Sequence, residues 1–208
     1  MLTAQLEPSV STARNPPTPT ATEPMFYYFA YGSCMCPVDL KRSLGENTHP
    51  YVIGPATLKG YRLGFYYYSP QRRCGALDVV EDPTHEVHGV LYRLPWRLSQ
   101  RLDDREAVRH NSYRREFVDI DRQGKCYQGV RTYVVVDKLP AELAPNDWYF
   151  NVVLRGAIAC GLPEHYCWQL FDRMHQLKMR SHRRAHPLHV SIMSRSIPQS
   201  RNELDLAV

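Results

Sequence analysis

The sequence has no run of about 18 consecutive apolar residues, the length that a membrane-spanning helix needs. Its first residues also lack the apolar core of a secretory signal, so we expect a cytoplasmic protein. The six cysteines follow no regular spacing, which argues against a disulfide framework and for reduced thiols. A large charge excess is missing too, because 26 Lys and Arg face 21 Asp and Glu. The net charge of +5 does not indicate a nucleic-acid binder.

The length and composition of the chain suit one folded domain between two tails. The 208 residues are 43% hydrophobic, which is ordinary for a globular protein. Residues 1–24 are rich in Pro, Thr, Ser and Ala and are predicted to be a disordered tail, although translation could also begin at Met25. The predicted domain covers residues 25–178. Residues 179–208 are predicted to form a basic, flexible tail that is either solvated or contacts a nucleic acid or a lipid.

The pattern of the domain predicts more strands than helices. An aromatic run, Phe26–Gly32, reads as a buried strand that ends in a glycine loop. Turn signals at Lys59-Gly60 and Asp82-Pro83 divide the next region into four strand-like runs. A hairpin is expected around residues 122–124, followed by two helices of which Asp147 caps the first. Strands and helices do not alternate regularly, so the sequence predicts an α+β fold with a mainly antiparallel or barrel-like sheet.

One carboxylate shares a helical stripe with apolar residues. In a helix predicted over Trp96–Val108, Glu106 follows Leu98 and Leu102 at intervals of four, whereas the charged residues just before Glu106 are expected to point into water. If the stripe faces the interior, the carboxylate is desolvated, which raises the pKa of such a group and suits it to general acid or base chemistry. The alternative is a surface Glu that pairs with Arg105 or Arg109.

A second candidate feature is the loop Tyr31–Cys34 at the end of the first strand. Its glycine allows a ligand to approach the backbone closely, and successive loop amides can point at an anion. The alternative is an ordinary turn between a strand and a helix. Cys34 could also be a nucleophile if one of the nine histidines acts as its base. Cys34 and Cys36 have the wrong spacing for a zinc knuckle, so no metal site is predicted.

Five segments in the same order, over roughly residues 26–177, resemble the gamma-glutamylcyclotransferase family. The run from Tyr28 to Met35 resembles the family's opening signature FAYGSN. The segment around Glu106 resembles the one that delivers the family's catalytic glutamate. The five segments are residues 28–35, 85–92, 102–108 with Tyr113, 131–133, and 149–166.

The resemblance implies a small mixed, mainly antiparallel β-barrel with flanking helices. It also implies that the α-amine of a small gamma-glutamyl substrate attacks its own γ-carbonyl, forming 5-oxoproline without a metal or a cofactor. Glu106 is then the general acid and base, and the loop grips the substrate. The implied substrate-binding residues are Tyr28, Phe29, Ala30, Tyr31, Gly32, Ser33, Cys34 and Tyr149.

One departure from the family is Cys34, which stands where an Asn is usual. A thiol is a weak donor and acceptor, so substrate range and activity are open at this point. An exposed thiolate there would be sensitive to oxidation. Two other functions are kept as alternatives: removal of a gamma-glutamyl protecting group from a biosynthetic intermediate, and a non-catalytic binding module. The sequence is compatible with a monomer or a homodimer.

Overall fold

Five strands of the computed structural model, which describes residues 23–185, close into a barrel in the order β1-β3-β2-β4-β5. Strands β1 and β5 pair in parallel where they close the barrel, and the other pairs are antiparallel. The predicted mixed barrel is therefore confirmed. The strands are β1 (Met25–Ala30), β2 (Val52–Ser69), β3 (Cys74–Pro95), β4 (Tyr113–Arg122) and β5 (Lys125–Val135).

Helices flank the barrel. They are α1 (Pro37–Leu44), α2 (Ser99–Arg105), α3 (Asp147–Ala159) and α4 (Glu164–Ala185), with short 3-10 turns at Ser33–Met35, His49–Tyr51, Trp96–Leu98 and Val108–His110. Large side chains from the strands fill the interior; Phe29, Tyr92 and Leu58 are almost completely buried. Consecutive residues are buried at the end of β1 and from Val130 to Val135 of β5, so both faces of these strands are covered there.

Strands β2 and β3 are longer than the sequence predicts. Each runs unbroken through the turn signal that was expected to divide it. Lys59 pairs with Glu86 and Tyr61 with Glu81, so residues 82–85 lie opposite Gly60, whose φ is +79°. The prediction of four separate strands is wrong here. The Gly and Pro signals mark a shift in register between two long strands, because the chain bulges there without reversing.

The segment around Glu106 also differs from the predicted helix over Trp96–Val108. A 3-10 turn precedes α2, and α2 ends at Arg105. Ala107 then takes a left-handed conformation with φ 50°, which a non-glycine residue adopts at a cost of roughly 1 kcal/mol. Glu106 is therefore the last residue before a sharp change of direction. At α3, the cap is Asn146 and not Asp147, since the Asn146 side chain accepts the Tyr149 N–H at 2.8 Å.

The two chain ends lie mostly outside the described residues, so the predicted tails over 1–24 and 179–208 stay predictions. Residues 179–185, which were assigned to the second tail, continue α4. Among the helices of residues 23–185, none combines the length and the apolar character that crossing a membrane requires.

Helix α3 packs directly on the backbone of the turn Ser33–Met35, and a glycine makes this contact possible. A Cβ atom at Gly156 would lie 2.6 Å from the Cys36 nitrogen and 2.9 Å from the Met35 carbonyl carbon. Real Cβ contacts are longer than this, and both atoms belong to the backbone, so they cannot move aside alone. Gly156 therefore fixes how closely α3 supports the loop that follows β1.

The variant Gly156→Ala should lower the free energy of unfolding by about 1–2 kcal/mol, because overpacking against backbone atoms costs more than the helix gains. In an unobstructed helix the same change would stabilise by about 1 kcal/mol, so the sign of the effect is the test. Urea unfolding followed by circular dichroism measures it. Asn151→Ala, on the exposed side of α3, is the control and should be neutral or slightly stabilising. A stabilising Gly156→Ala would contradict the packing argument.

Candidate active site

A cavity of about 310 Å³ opens where the loop after β1, the end of α2 and the start of α3 meet. Its walls come from segments that are far apart in the sequence, including the turn between β2 and β3 and the first residues of β4. Aromatic hydroxyls, one carboxylate and two arginines face it. The lining side chains on which the arguments below depend are Tyr28, Gly32, Ser33, Cys34, Arg72, Arg105, Glu106, Tyr113 and Tyr149.

The structure brings together most of the residues that the sequence singles out. Seven line the cavity, namely Tyr28, Tyr31, Gly32, Ser33, Cys34, Glu106 and Tyr149. Phe29 and Ala30, which the resemblance also implied, are 0% and 1% exposed in the core and do not line it. Phe29 alternates with Tyr28 along β1, and its ring packs against Gly89 of β3, whereas Ala30 has only a methyl group and is buried in the core.

Glu106 sits at the inner wall of this cavity with its side chain 16% exposed. Its Oε1 atom accepts a hydrogen bond from the Cys34 thiol at 3.2 Å and lies 3.7 Å from the Arg105 Nε. The alternative was a surface ion pair with Arg105 or Arg109. Arg105 is the observed partner, but the pair does not lie at the surface. Glu106 does face Arg105, but both side chains are largely withdrawn from water.

Arg105 is the main site residue that the sequence analysis missed. Its side chain is 8% exposed, although the sequence pattern suggested a solvated position. The guanidinium donates to the Cys34 Sγ at 2.8 Å, to the Ser33 Oγ at 3.1 Å and to the Asp39 Oδ2 at 2.5 Å, and it also contacts Ser43. Arg105 is the last residue of α2, and its side chain packs against the loop that follows β1. The polar partners there compensate the guanidinium for its loss of hydration.

The charge of Arg105 is secured by its neighbours. Burial by itself lowers the pKa of Arg105. The nearby Cys34, Glu106 and Asp39 raise the pKa by more than burial lowers it, so the net shift is upward. The guanidinium therefore stays protonated and offers fixed donors in a planar arrangement. No local signal in the sequence distinguishes Arg105 from the solvated Arg109, because only Asp39 and the loop, more than 60 residues upstream, make the buried position tolerable.

Cys34 is a buried thiol. It is 5% exposed, and burial raises its pKa to about 12, with Arg105 opposing the shift. The expectation of an exposed, easily oxidised thiolate is therefore wrong, since the low dielectric of the interior disfavours the charged form. The thiol donates to Glu106 and accepts from Arg105. Cys34 therefore both donates and accepts a hydrogen bond, as the side-chain amide of an Asn could at the same position.

Tyrosine hydroxyls complete the polar wall as neutral donors. Burial raises the pKa of Tyr28, Tyr113 and Tyr149 well above the ordinary value, and nearby Glu106 raises each further. The Tyr149 hydroxyl accepts the Leu77 N–H at 3.1 Å, and the Tyr113 hydroxyl donates to the Leu77 carbonyl at 2.9 Å. These bonds fix two of the rings. Within residues 23–185, no three His, Cys, Asp or Glu side chains come together so that they could hold a metal ion.

The chain matches one family model and is similar in sequence to named proteins. Residues 86–170 match the AIG2-like family. The chain is 35% identical over 149 residues to YkqA of Bacillus subtilis, named as a candidate gamma-glutamylcyclotransferase; the match covers 71% of this chain and 49% of that protein. It is 28% identical over 146 residues to the gamma-glutamylcyclotransferase of Mus musculus, covering 68% of this chain and 74% of that protein.

Solved structures agree with the sequence matches. The crystal structure of Bacillus subtilis YkqA superposes with a TM-score of 0.67 at 33% identity, covering 74% of this chain and 55% of that one. A gamma-glutamyl cyclotransferase superposes with a TM-score of 0.64 at 25% identity, covering 71% of this chain and 86% of that one. The chain thus spans about half the length of the Bacillus relative.

Replacing Arg105 with Met should destabilise the fold by about 3–5 kcal/mol, because the buried Asp39 carboxylate loses the charge that compensates it. Arg109→Met is the matched control; Arg109 is 72% exposed and its ion pair with Asp104 is at the surface, so the expected change is below about 0.5 kcal/mol. Urea unfolding curves of both variants provide the comparison. Equal effects at the two positions would show that Arg105 is not the buried cation described here.

Cys34 should resist alkylation in the folded protein. Cys126 is exposed and should react first with iodoacetamide at pH 8, whereas the buried thiol of Cys34 should react only after unfolding. Peptide mass spectrometry after timed quenching gives both rates from one sample. In urea all six cysteines should be modified, which serves as the control. Similar rates for Cys34 and Cys126 in the native protein would contradict the burial of Cys34.

Proposed function

The resemblance of this chain to the gamma-glutamylcyclotransferase family is confirmed in fold and in sequence, and from that premise we propose that the chain catalyses the family's reaction. The α-amine of a gamma-glutamyl amide attacks its own γ-carbonyl carbon, the amide C–N bond breaks, and 5-oxoproline and an amino acid or amine are released. The single observation that carries the proposal is the Glu106 carboxylate, held against the glycine loop inside a cavity of small-molecule size.

Glu106 is the proposed proton carrier. A substrate ammonium has no lone pair, so a base must remove a proton before the nitrogen can attack. The Oε1 atom of Glu106 is held by Cys34, whereas Oε2 accepts no hydrogen bond from the residues that the structure describes. This second oxygen is available to take the proton of the amine. The same proton can then pass to the leaving nitrogen, which must be protonated to depart.

The loop after β1 is proposed to hold the folded-back substrate. The N–H groups of Ser33 and Cys34 lie in the first turn of a 3-10 helix, where the turn itself supplies no acceptor for them. They can bind the substrate's α-carboxylate or the oxygen of its γ-carbonyl. Gly32 keeps the floor of the cavity open, because a Cβ there would lie 3.2 Å from the Tyr149 hydroxyl.

Neutral phenols can stabilise the charge that develops on the carbonyl oxygen. The Tyr149 oxygen accepts the Leu77 N–H, which leaves the phenolic hydrogen to be donated into the cavity. Because its raised pKa keeps it protonated, Tyr149 remains a donor throughout the neutral range. Donors that are already oriented toward the developing oxyanion lower the barrier without reorganising during the reaction.

We also propose that the reaction takes place in the cytoplasm, with glutathione or another gamma-glutamyl amino compound as the substrate. All six cysteines are free, which is usual in a reducing compartment. Cleavage of a gamma-glutamyl protecting group uses the same chemistry with a different leaving amine. A non-catalytic binding module would keep the cavity without turnover, and the presence of Glu106 at its wall favours an enzyme.

The test is 5-oxoproline release from a panel that includes glutathione and gamma-glutamyl-alanine, followed by mass spectrometry. Glu106→Gln keeps the shape of the side chain but removes the base, so the rate should fall by about 10²- to 10⁴-fold. Glu81→Gln, at an exposed position on β3, is the matched control and should retain full activity. Product from Glu106→Gln at the wild-type rate would remove Glu106 from the mechanism. No product from the wild type across the panel would favour the binding module.

A further inference from the structure

A second cavity, of about 600 Å³, adjoins the candidate active site. The two cavities share Gln71, Arg72 and Arg105 in their walls, but Glu106 lines only the first. The second is lined mainly by polar side chains of α1, α2 and the start of α3. A substrate whose reacting bond lies at Glu106 could therefore extend past Arg72 into this second space.

Arg72 is held in a fixed position at the junction of the two cavities. Its backbone carbonyl accepts the Asn146 Nδ2 at 2.8 Å, and its backbone N–H donates to the Ser69 Oγ at 3.3 Å. Its guanidinium lies over two aromatic rings, 5.7 Å from the centre of Trp148 and 5.6 Å from that of Tyr149. A cation held over two rings loses little further freedom when it binds a ligand.

The cation at this junction has no acidic partner in the part of the chain that the structure describes. No carboxylate of residues 23–185 forms an ion pair with Arg72. The acidic side chains of the second cavity already face other cations: Asp39 pairs with Arg105 at 2.5 Å, and Asp104 pairs with Arg109 at 3.8 Å. The cavity therefore offers an oriented, unpaired positive charge, which matches a carboxylate through two parallel N–H···O bonds.

We propose that the second cavity is the subsite for the leaving group, and that Arg72 binds a carboxylate on that group. Arg72 is then the residue by which the site distinguishes a leaving group with a carboxylate from an uncharged one. This inference rests on the proposed function, which leaves the leaving amine open. A substrate without the carboxylate would leave the guanidinium facing an uncharged group, and the lost charge-assisted bonds would lower the reaction rate.

The experiment compares gamma-glutamyl-alanine with gamma-glutamyl-alanine amide, in which only the leaving group's carboxylate becomes a neutral carboxamide. For the wild type, kcat/KM should be about ten- to a hundredfold higher for the acid than for the amide. In Arg72→Gln the value for the acid should fall by a similar factor, while that for the amide changes less than about threefold. Arg72→Lys, which keeps the charge but not the planar pair of donors, should lie between the two.

Arg73→Gln is the matched control, because the neighbouring Arg73 is exposed and lines neither of the two cavities. It should leave both substrates unaffected. An equal loss on acid and amide in Arg72→Gln would overturn the inference, since Arg72 would then act on the gamma-glutamyl half or on the fold. No loss on either substrate would overturn it as well.

A separate arm distinguishes this inference from the proposed function. If the wild type turns over neither compound, the proposed function fails, and the same two compounds are then tested as ligands by titration calorimetry. Tighter binding of the acid that disappears in Arg72→Gln would support the carboxylate subsite without any turnover. Equal affinities, or no binding of either compound, would overturn it.

Discussion

The buried guanidinium of Arg105 is the interaction on which the arrangement of the site depends. It joins α1, through Asp39, to the loop after β1, through Ser33 and Cys34, and it stands beside Glu106. A buried cation is tolerated only when its hydrogen-bonding positions are filled, so each of these partners is constrained by the others. The loop and the carboxylate belong to distant parts of the chain, and Arg105, together with the direct hydrogen bond from Cys34 to Glu106, fixes their relative position.

The surroundings of that ion cluster decide which groups can exchange protons near neutral pH. Burial keeps the thiol of Cys34 and the phenols of Tyr28 and Tyr149 protonated, and Arg105 keeps its charge. These groups act as oriented donors, and Glu106 is the carboxylate in the cavity that we propose as the proton acceptor. Such a division of roles suits a reaction in which one proton moves while the substrate supplies both nucleophile and electrophile. Beyond it, Arg72 lies between the two cavities, where we propose that it contacts the leaving group.

Much of the fold could be predicted from local patterns. Local patterns predicted the aromatic strand before a glycine loop, the hairpin at Gln123-Gly124 and the two helices that follow. Each of these elements is determined by neighbours within a few residues, and the two hairpin residues are indeed left-handed. The spacing of Glu106 from Leu98 and Leu102 left an interior position and a surface ion pair both open, and the family resemblance then singled out Glu106. The helix predicted around Glu106 is longer than the observed one, because no local sequence signal predicts the left-handed conformation of Ala107.

The sequence by itself determined the classes of element and the loop, and it offered Glu106 as the candidate carboxylate. Only the tertiary structure decided that Arg105 is buried, that Cys34 stays a thiol, and that Phe29 and Ala30 belong to the core. It alone brought Arg72 to the junction of two cavities. The physical reason is that burial and electrostatic environment are sums over groups distant in the chain, whereas strand, turn and helix patterns arise from near neighbours.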